Sequence, residues 1–211
     1  RYTSTQTYPD YVEYEGAMWD GFTVQNGLIK DIAANRDGGA GIRIFRGVTI
    51  QNFIVQNCWN RGTRSRGGGI YCDGSNSYVI NTYVIHNNAN GPNNETDTYG
   101  GGMYMIVGTS YNSAFVNNWA NGHGGGIFLE NAIFYNNTVA HNYKDGMYQW
   151  SNSGGGNNLE MYNCLFYGNE NRAIDSSAKQ TLQDFHNCYI QTASGLDGEV
   201  LKHITGSSLN N

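Results

Sequence analysis

Residues 100–118 read GGGMYMIVGTSYNSAFVNN, and this stretch decides the fold because both of its ends recur along the chain. It begins with a run of glycines followed by an apolar and then an aromatic residue, and similar runs begin at Gly67 and Gly124. It closes on Asn118 after a short apolar segment. Comparable segments close on Asn26, Asn57, Asn87, Asn142 and Asn169. An internal repeat of this kind predicts a solenoid.

The spacing of the repeat indicates the type of solenoid. Successive closing Asn residues are 31, 30, 31, 24 and 27 positions apart. Such a period fits one turn of a parallel β-helix, in which turns lie about 4.8 Å apart and aligned positions form columns of stacked side chains. We therefore predict an all-β, right-handed parallel β-helix of about seven turns at residues 20–192. Residues 1–19 would form a partial first turn, and residues 193–211 a C-terminal end or weak cap.

The columns predict which side chains fill the interior and which form the corners. One apolar column contains Ile42, Ile70, Met103, Ile127, Met147 and Ile174, and the other contains Ile54, Val84, Phe115, Val139, Phe166 and Ile190. The closing Asn residues suit corners, because Asn tolerates left-handed backbone and its amide can donate to one turn while accepting from another. We expect a structural ladder at Asn57, Asn87, Asn118, Asn142 and Asn169. A second Asn lies six positions earlier at Asn81, Asn112, Asn136 and Asn163.

The combination of Gly-Gly-x-Ile with Phe-x-x-Asn resembles the repeat pair of the polymorphic outer-membrane proteins. The wider pattern is similar to the pectin-lyase-like superfamily of right-handed β-helices, which occurs in many secreted and surface proteins. The resemblance implies the fold over residues 20–192. It does not imply one function, because the superfamily includes lyases, hydrolases, adhesins, tailspikes and passive stalks.

The composition excludes several classes of protein. Only 14% of the residues are charged and the net charge is −5, so no broad basic surface is available and we expect no nucleic-acid partner. No apolar run is long enough for a membrane helix, so no membrane span is expected. Abundant Gly, Asn and Tyr with few charges suit an extracellular or cell-surface protein.

The strand pattern predicts a functional face. If the first apolar column points inward, alternation places the next residue of each strand outside. These residues, called here the outer aromatic column, are Tyr71, Tyr104, Phe128 and Tyr148. Trp150 follows on the same side. An exposed aromatic column flanked by carboxylates would bind a glycan, whereas the alternative is that the stacked rings only stabilise neighbouring strands.

Candidate catalytic groups are few. Asp73 and Glu130 are assigned to equivalent columns two turns apart, which places their backbones about 10 Å from each other, a little beyond the usual spacing of an inverting glycosidase pair. The resemblance implies bound Ca²⁺ only if the chain is a lyase, and otherwise we expect no cofactor. Asp145 and Asp175 are interpreted as solvated turn charges. We expect no metal site, because His123 stands alone and the other candidate His residues are separated by two turns.

Cysteines and ends complete the sequence-based expectations. Cys164 and Cys188 share a column one turn apart, which is compatible with a disulfide or with a stack of buried free thiols. Solenoid ends expose apolar interior and strand edges, so uncapped ends imply a neighbouring domain or end-to-end self-association. The polar insertion at residues 90–98 is a candidate recognition loop.

Together these features predict a secreted or cell-surface β-helix module with an adhesin-like, glycan-binding structural role. Its partner would be a glycan or a surface protein. One alternative is a polysaccharide lyase or glycoside hydrolase that uses the outer face of one sheet. Another is a self-assembling extracellular shaft or filament subunit.

Overall fold

The computed structural model describes residues 16–30, 38–91, 96–150, 159–176, 184–191 and 208–210. Within these ranges all regular structure is β, and the strands pair in parallel from turn to turn. No candidate membrane-spanning helix is found in these ranges. The expectations for residues 1–15 and for most of 193–211 lie outside the described residues, as do 92–95 of the predicted recognition loop.

The strands form three sheets that run along the solenoid. The first sheet contains β1 (Met18–Asp20), β4 (Ile42–Phe45), β5 (Thr49–Gln51), β8 (Ile70–Ile80), β11 (Met103–Tyr111), β14 (Ile127–Tyr135), β16 (Asp145–Gln149), β17 (Leu159–Tyr162), β19 (Arg172–Ser176) and β20 (Asp184–His186). The second contains β2 (Thr23–Gln25), β6 (Ile54–Gln56), β9 (Tyr83–Ile85), β12 (Ala114–Val116), β15 (Thr138–Ala140), β18 (Leu165–Tyr167), β21 (Tyr189–Gln191) and β22 (Ser208–Asn210). The third contains β3 (Leu28–Ile29), β7 (Trp59–Asn60), β10 (Asn88–Ala89) and β13 (Trp119–Ala120).

The solenoid has about five turns rather than the predicted seven. Its fully buried column in the second sheet begins at Val55 and ends at Ile190, with Val84, Phe115, Val139 and Phe166 between them, each at 0% exposure. The earlier copy of the repeat at β2 pairs with β6, yet Val24 is only half-buried. The count of seven was wrong because it treated every copy of the repeat as a full turn, including this first copy, whose interior position is only half-buried.

The register of the first full turn differs from the prediction by one residue. Ile54 pairs with Tyr83 and is 41% exposed, whereas Val55 pairs with Val84 and fills the interior. Phe53 is buried at the preceding corner, and alternation then turns Ile54 outward. The prediction that Ile54 belongs to the interior column is therefore wrong.

A column of buried Asn amides links the turns. The backbone N–H groups of Asn87, Asn118 and Asn142 each donate to the side-chain oxygen one turn later, at 2.9, 2.9 and 3.0 Å. The side-chain nitrogens also donate to backbone carbonyls one turn earlier, as Asn142 Nδ2 does to Phe115 at 2.9 Å. We call this ladder, which runs from Asn87 to Asn169 within the described residues, the buried Asn column. Each member satisfies backbone groups that the corner would otherwise leave unpaired.

Asn57 is not part of this column. Cys58 occupies the equivalent position, and its backbone N–H donates to Asn87 Oδ1 at 2.9 Å. Asn57 instead has a left-handed φ of 54°, like His86 at 55° and His141 at 53°, and serves as the corner residue just before the column. The predictions for Asn57 and Ile54 fail for the same reason, because the sequence match is one residue out: Cys58, and not Asn57, is level with Asn87.

The glycine runs lie against the buried Asn column. A Cβ atom at Gly102 would lie 2.8 Å from the Asn118 side-chain nitrogen, so only glycine lets the strand pass this close. Gly100 has a φ of 65°, in the left-handed region that favours glycine. The two halves of the sequence repeat are therefore parts of one packing arrangement.

A second ladder of Asn residues lies on the surface at left-handed corners. Its members, the surface Asn column, are Asn52, Asn81, Asn112, Asn136, Asn163 and Asn187, with φ between 46° and 56°. Their amides form an exposed chain in which Asn163 donates to Asn136 at 3.0 Å and Asn136 to Asn112 at 3.1 Å.

The cysteines of the chain are buried free thiols. Cys164 and Cys188 share a column, as predicted from their spacing, and the backbone N–H of Cys164 lies 3.4 Å from the Cys188 sulfur. Of the two alternatives for this pair, the structure therefore shows the stack of free thiols. The two thiols pack in the core as small apolar side chains.

Candidate functional site

The outer aromatic column points away from the interior but is not exposed. Tyr71, Tyr104, Phe128 and Tyr148 are only 4%, 1%, 2% and 7% exposed. Their rings stack from turn to turn at centroid distances of 5.5, 4.6 and 5.3 Å. The predicted exposure of this column is therefore wrong, and the rings form a second hydrophobic cluster outside the sheet.

The rings are covered by the residues that directly precede the glycine runs. The ring centroid of Tyr99 lies 4.8 Å from that of Phe128, and the ring centroid of His123 lies 4.2 Å from that of Tyr148. The Arg66 guanidinium carbon lies 4.9 Å from the ring centroid of Tyr104. Arg66, Tyr99 and His123 are joined by parallel bridges, so they form a strip along the axis. This strip hides the outer aromatic column from water.

Beside the strip, the outer face of the first sheet forms a cleft of about 470 Å³. Its walls combine aromatic, basic and acidic side chains. They are Arg64, Arg66, Asp97, Tyr99, Tyr104, Ile106, Phe128, Glu130 and Trp150. Trp150 is 39% exposed at this cleft. Four of the sequence-predicted residues thus meet here, namely Tyr104, Phe128, Glu130 and Trp150.

Hydrogen bonds and an ion pair fix the polar groups of the cleft. The Tyr104 hydroxyl donates to Glu130 Oε1 at 2.6 Å, and Arg64 Nε lies 2.9 Å from Asp97 Oδ2. The Tyr99 hydroxyl donates to the other Asp97 oxygen. Burial, followed by the hydrogen bond to Asp97, raises the pKa of Tyr99 to about 12, and burial with the Glu130 bond raises the pKa of Tyr104. Both hydroxyls therefore remain protonated donors at neutral pH.

Asp73 does not join Glu130. Asp73 pairs with Val107, and Val107 pairs with Asn131, so Asp73 falls in the column of Asn131. The predicted shared column is wrong because β11 carries one extra residue, Ile106, between the pairs Met105–Cys72 and Val107–Asp73, so Asp73 moves one position past the column of Glu130. Of the proposed catalytic pair, only Glu130 lines the cleft.

Another cluster unites residues that the sequence analysis treated separately. One ligand atom from each of His123, Asp145 and Asp175 lies within 4.8 Å of the others. Asp145 is only 6% exposed, so its interpretation as a solvated turn charge is wrong. Burial, with the charge of Asp175, raises the pKa of Asp145 to about 6, and burial lowers the pKa of His123.

A departure from the repeat could have revealed this cluster. Lys144 adopts a φ of 59° where the preceding turn has Gly124, and Asp145 follows where that turn has Gly125. In the next turn, Asp175 pairs with Tyr148 and takes the following position of the outer aromatic column. The sequence signal for this cluster is therefore the replacement of glycine and aromatic residues of the repeat by charged residues.

The sequence analysis also missed an aromatic column that does reach the surface. Tyr111, Tyr135, Tyr162 and His186 stack at centroid distances of 5.0, 4.9 and 4.5 Å and are half-buried. We call them the surface aromatic column. Each directly precedes a member of the surface Asn column, and this pairing is the signal in the sequence.

Comparison with known proteins finds no matching family model, no matching curated protein and no matching solved structure. The functional argument consequently depends on the geometry of the cleft and of the side-chain clusters next to it.

Proposed function

We propose that the chain is a glycan-binding module of a secreted or cell-surface protein and that the cleft beside the Arg66–Tyr99–His123 strip is its binding site. The repeat pair supports kinship with the pectin-lyase-like β-helices as part of the same proposal. The observation that carries it is the cleft of about 470 Å³, where Trp150 lies among fixed hydrogen-bonding groups. Ligand sites combine apolar walls with a few placed polar groups in this way.

The chemistry of the cleft suits a carbohydrate. A sugar presents C–H faces that pack on aromatic rings and hydroxyl groups that need both donors and acceptors. Trp150 offers a partly exposed indole, Glu130 offers acceptor oxygens, and Arg66 offers donors. The Tyr104 hydroxyl already holds the Glu130 carboxylate through a hydrogen bond of 2.6 Å. The entropy cost of ordering the Glu130 side chain when a ligand binds is therefore small.

Binding is favoured over catalysis by the engagement of both carboxylates. Tyr104 donates to Glu130, and Arg64 pairs with Asp97. A lyase or hydrolase remains the alternative, now with Glu130 and Asp97 instead of Asp73 and with Ca²⁺ only for the lyase. Incubation with plant, algal and host polysaccharides, with and without Ca²⁺, tests it, since unsaturated or reducing products would favour the enzyme.

Trp150 provides the sharpest test of the proposal. A glycan array would identify the ligand, and calorimetry would then compare Trp150→Ala with Trp119→Ala. The two indoles are 39% and 40% exposed, but Trp119 belongs to the third sheet. We expect Trp150→Ala to weaken binding at least about tenfold, as for a central contact, and Trp119→Ala to leave it unchanged. Equal affinity of both variants and the parent would contradict the proposal.

Self-association through the N-terminal end is a second proposal with its own support. Met18 and Trp19 in β1 and Phe22 in the corner after it are exposed apolar side chains, and β1 is the end strand of its sheet among the described residues. Exposed edges with apolar side chains favour pairing with another chain. Analytical ultracentrifugation of Trp19→Ser against the parent tests this directly, because loss of concentration-dependent association is expected only if this end is the contact.

A further inference from the structure

The cluster of His123, Asp145 and Asp175 lies at the end of the outer aromatic column, apart from the residues that line the cleft. Its members come from three successive turns of the solenoid. His123 precedes a glycine run, Asp145 begins β16 and Asp175 lies in β19. The separation in sequence means that folding alone brings these groups together.

The geometry is close to that of a metal site. The Nδ1 atom of His123 lies 3.9 Å from Asp175 Oδ2, and the three ligand atoms lie within 4.8 Å of one another. Ligand atoms around a tetrahedral Zn²⁺ at bond lengths of about 2.0–2.2 Å are about 3.4 Å apart. Small side-chain rotations would therefore bring all three atoms onto one ion.

Asp145 is the observation that points to a cation. Its side chain is more than nine-tenths buried beside a second carboxylate, and no Lys or Arg forms an ion pair with it among the described residues. Of the two cations whose charge acts on Asp145, the Arg172 guanidinium bonds to Asp175 and the ammonium of Lys144 donates to the backbone carbonyls of Asn121 and Gly122. The main chain of Gly124 donates a hydrogen bond to Asp145. A buried carboxylate in this position needs a compensating charge.

The surroundings hold the other two side chains in place. Arg172 Nη1 bonds to Asp175 Oδ1 at 2.6 Å, and Asp175 Oδ2 lies 3.9 Å from His123 Nδ1. The His123 ring lies between Tyr99, at 6.0 Å with nearly parallel planes, and Tyr148, at 4.2 Å. Such contacts orient ligands before a metal arrives.

We propose that His123, Asp145 and Asp175 bind a divalent transition-metal ion of the zinc class. One imidazole nitrogen with two carboxylate oxygens suits Zn²⁺, Co²⁺ or Mn²⁺, whereas Ca²⁺ and Mg²⁺ prefer oxygen ligands throughout. Three protein ligands leave a fourth position for water or another ligand. The site does not depend on glycan binding, because none of its three ligands lines the cleft.

The test uses the full chain, stripped with a chelator and titrated with Zn²⁺ by calorimetry in a buffer that does not bind metal. We expect the parent to bind one equivalent of Zn²⁺. His123→Ala and Asp145→Asn should each weaken Zn²⁺ binding by more than about tenfold, because loss of a group that only supports a metal ligand already costs about 10–100-fold in metal affinity. Titration with Co²⁺ should give visible absorption that both variants lose.

The matched control is His141→Asn. His141 occupies a left-handed corner where the preceding turn has Asn117, so this change keeps the local backbone and removes an imidazole that is not a member of the cluster. It should bind Zn²⁺ like the parent. His123→Ala decides the matter even if Asp145→Asn fails to fold. Absence of stoichiometric binding by the parent, or unchanged binding by His123→Ala, would overturn the site.

Discussion

The outer aromatic column and the surface aromatic column are two stacks of rings on the same sheet with different surroundings. Phe128 in the first is 2% exposed under Tyr99, whereas Tyr135 in the second is half-buried and borders the surface Asn column. Both stacks have ring distances near 5 Å, as Tyr104–Phe128 at 4.6 Å and Tyr111–Tyr135 at 5.0 Å show. Stacking along a solenoid is thus independent of exposure.

The comparison shows what a repeat specifies and what it does not. A column is fixed by the parallel register, so equivalent residues stack whatever lies outside them. The side chains that cover the outer aromatic column come from another part of the turn, namely from the residue before each glycine run. The repeat pattern does not indicate in which direction those side chains point. The covered column therefore acts as a second core that forms one wall of the cleft.

The largest expected effect is the difference in the free energy of unfolding between Phe128→Ala and Tyr135→Ala. Phe128 is packed by rings on several sides, so its removal should lower the free energy of unfolding by about 3–5 kcal/mol. Tyr135 is half-buried, and its loss should cost about 1 kcal/mol. Urea unfolding of both variants measures the difference. Equal losses would mean that the two columns are covered to the same degree.

The two Asn columns should differ in the same direction by a smaller amount. Asn142→Ala leaves the Asn118 N–H and the Phe115 carbonyl without partners, so we expect a loss of about 1–3 kcal/mol. Asn136→Gly keeps the left-handed corner and removes an exposed amide, so its effect should stay within about 0.5 kcal/mol. Unchanged melting of Asn142→Ala would remove the buried Asn column from the account of stability.

The smallest expected effect is on stability at alkaline pH, through Tyr99, which covers the outer aromatic column. Burial and then Asp97 raise the pKa of Tyr99 from 10.0 to about 12. A raised pKa means that the folded protein holds this proton more tightly, so the stabilisation is complete below pH 10 and is lost as the pH rises towards 12. Tyr99→Phe should therefore lose less stability over that interval than the parent. Tyr83→Phe, exposed on the second sheet, is the control, and parallel curves for all three proteins would contradict the assignment.

Sequence periodicity was sufficient to predict the parallel solenoid, most of its interior columns and the Asn amide ladder from Asn87 onward. It failed at Ile54 and Asn57 because Cys58 takes the place of the buried Asn in that turn, so that aligning Asn57 with Asn87 set the whole turn one residue out. It failed at Asp73 because the extra residue Ile106 in β11 moves Asp73 out of the column of Glu130.

The site was harder to predict than the fold. Glu130 and Trp150 were found because they lie on the expected outward positions, but Asp97 and Arg64 reach the cleft from the corner segments between strands. Likewise, His123 and Asp145 lie in different columns, so no alignment of turns brings them together. Contacts between columns depend on how each corner folds, and this information is not contained in the repeat.

The central claim is that corner residues cover the outer aromatic column and leave the cleft as the open part of this face. Hydroxyl-radical footprinting of the native protein, with mass spectrometry of each peptide, measures this cover directly. We predict slow modification of Tyr71, Tyr104 and Tyr148 and modification several-fold faster at Tyr135, Tyr162 and Trp150. Modification of Tyr104 and Tyr148 as fast as that of Tyr135 would contradict the account.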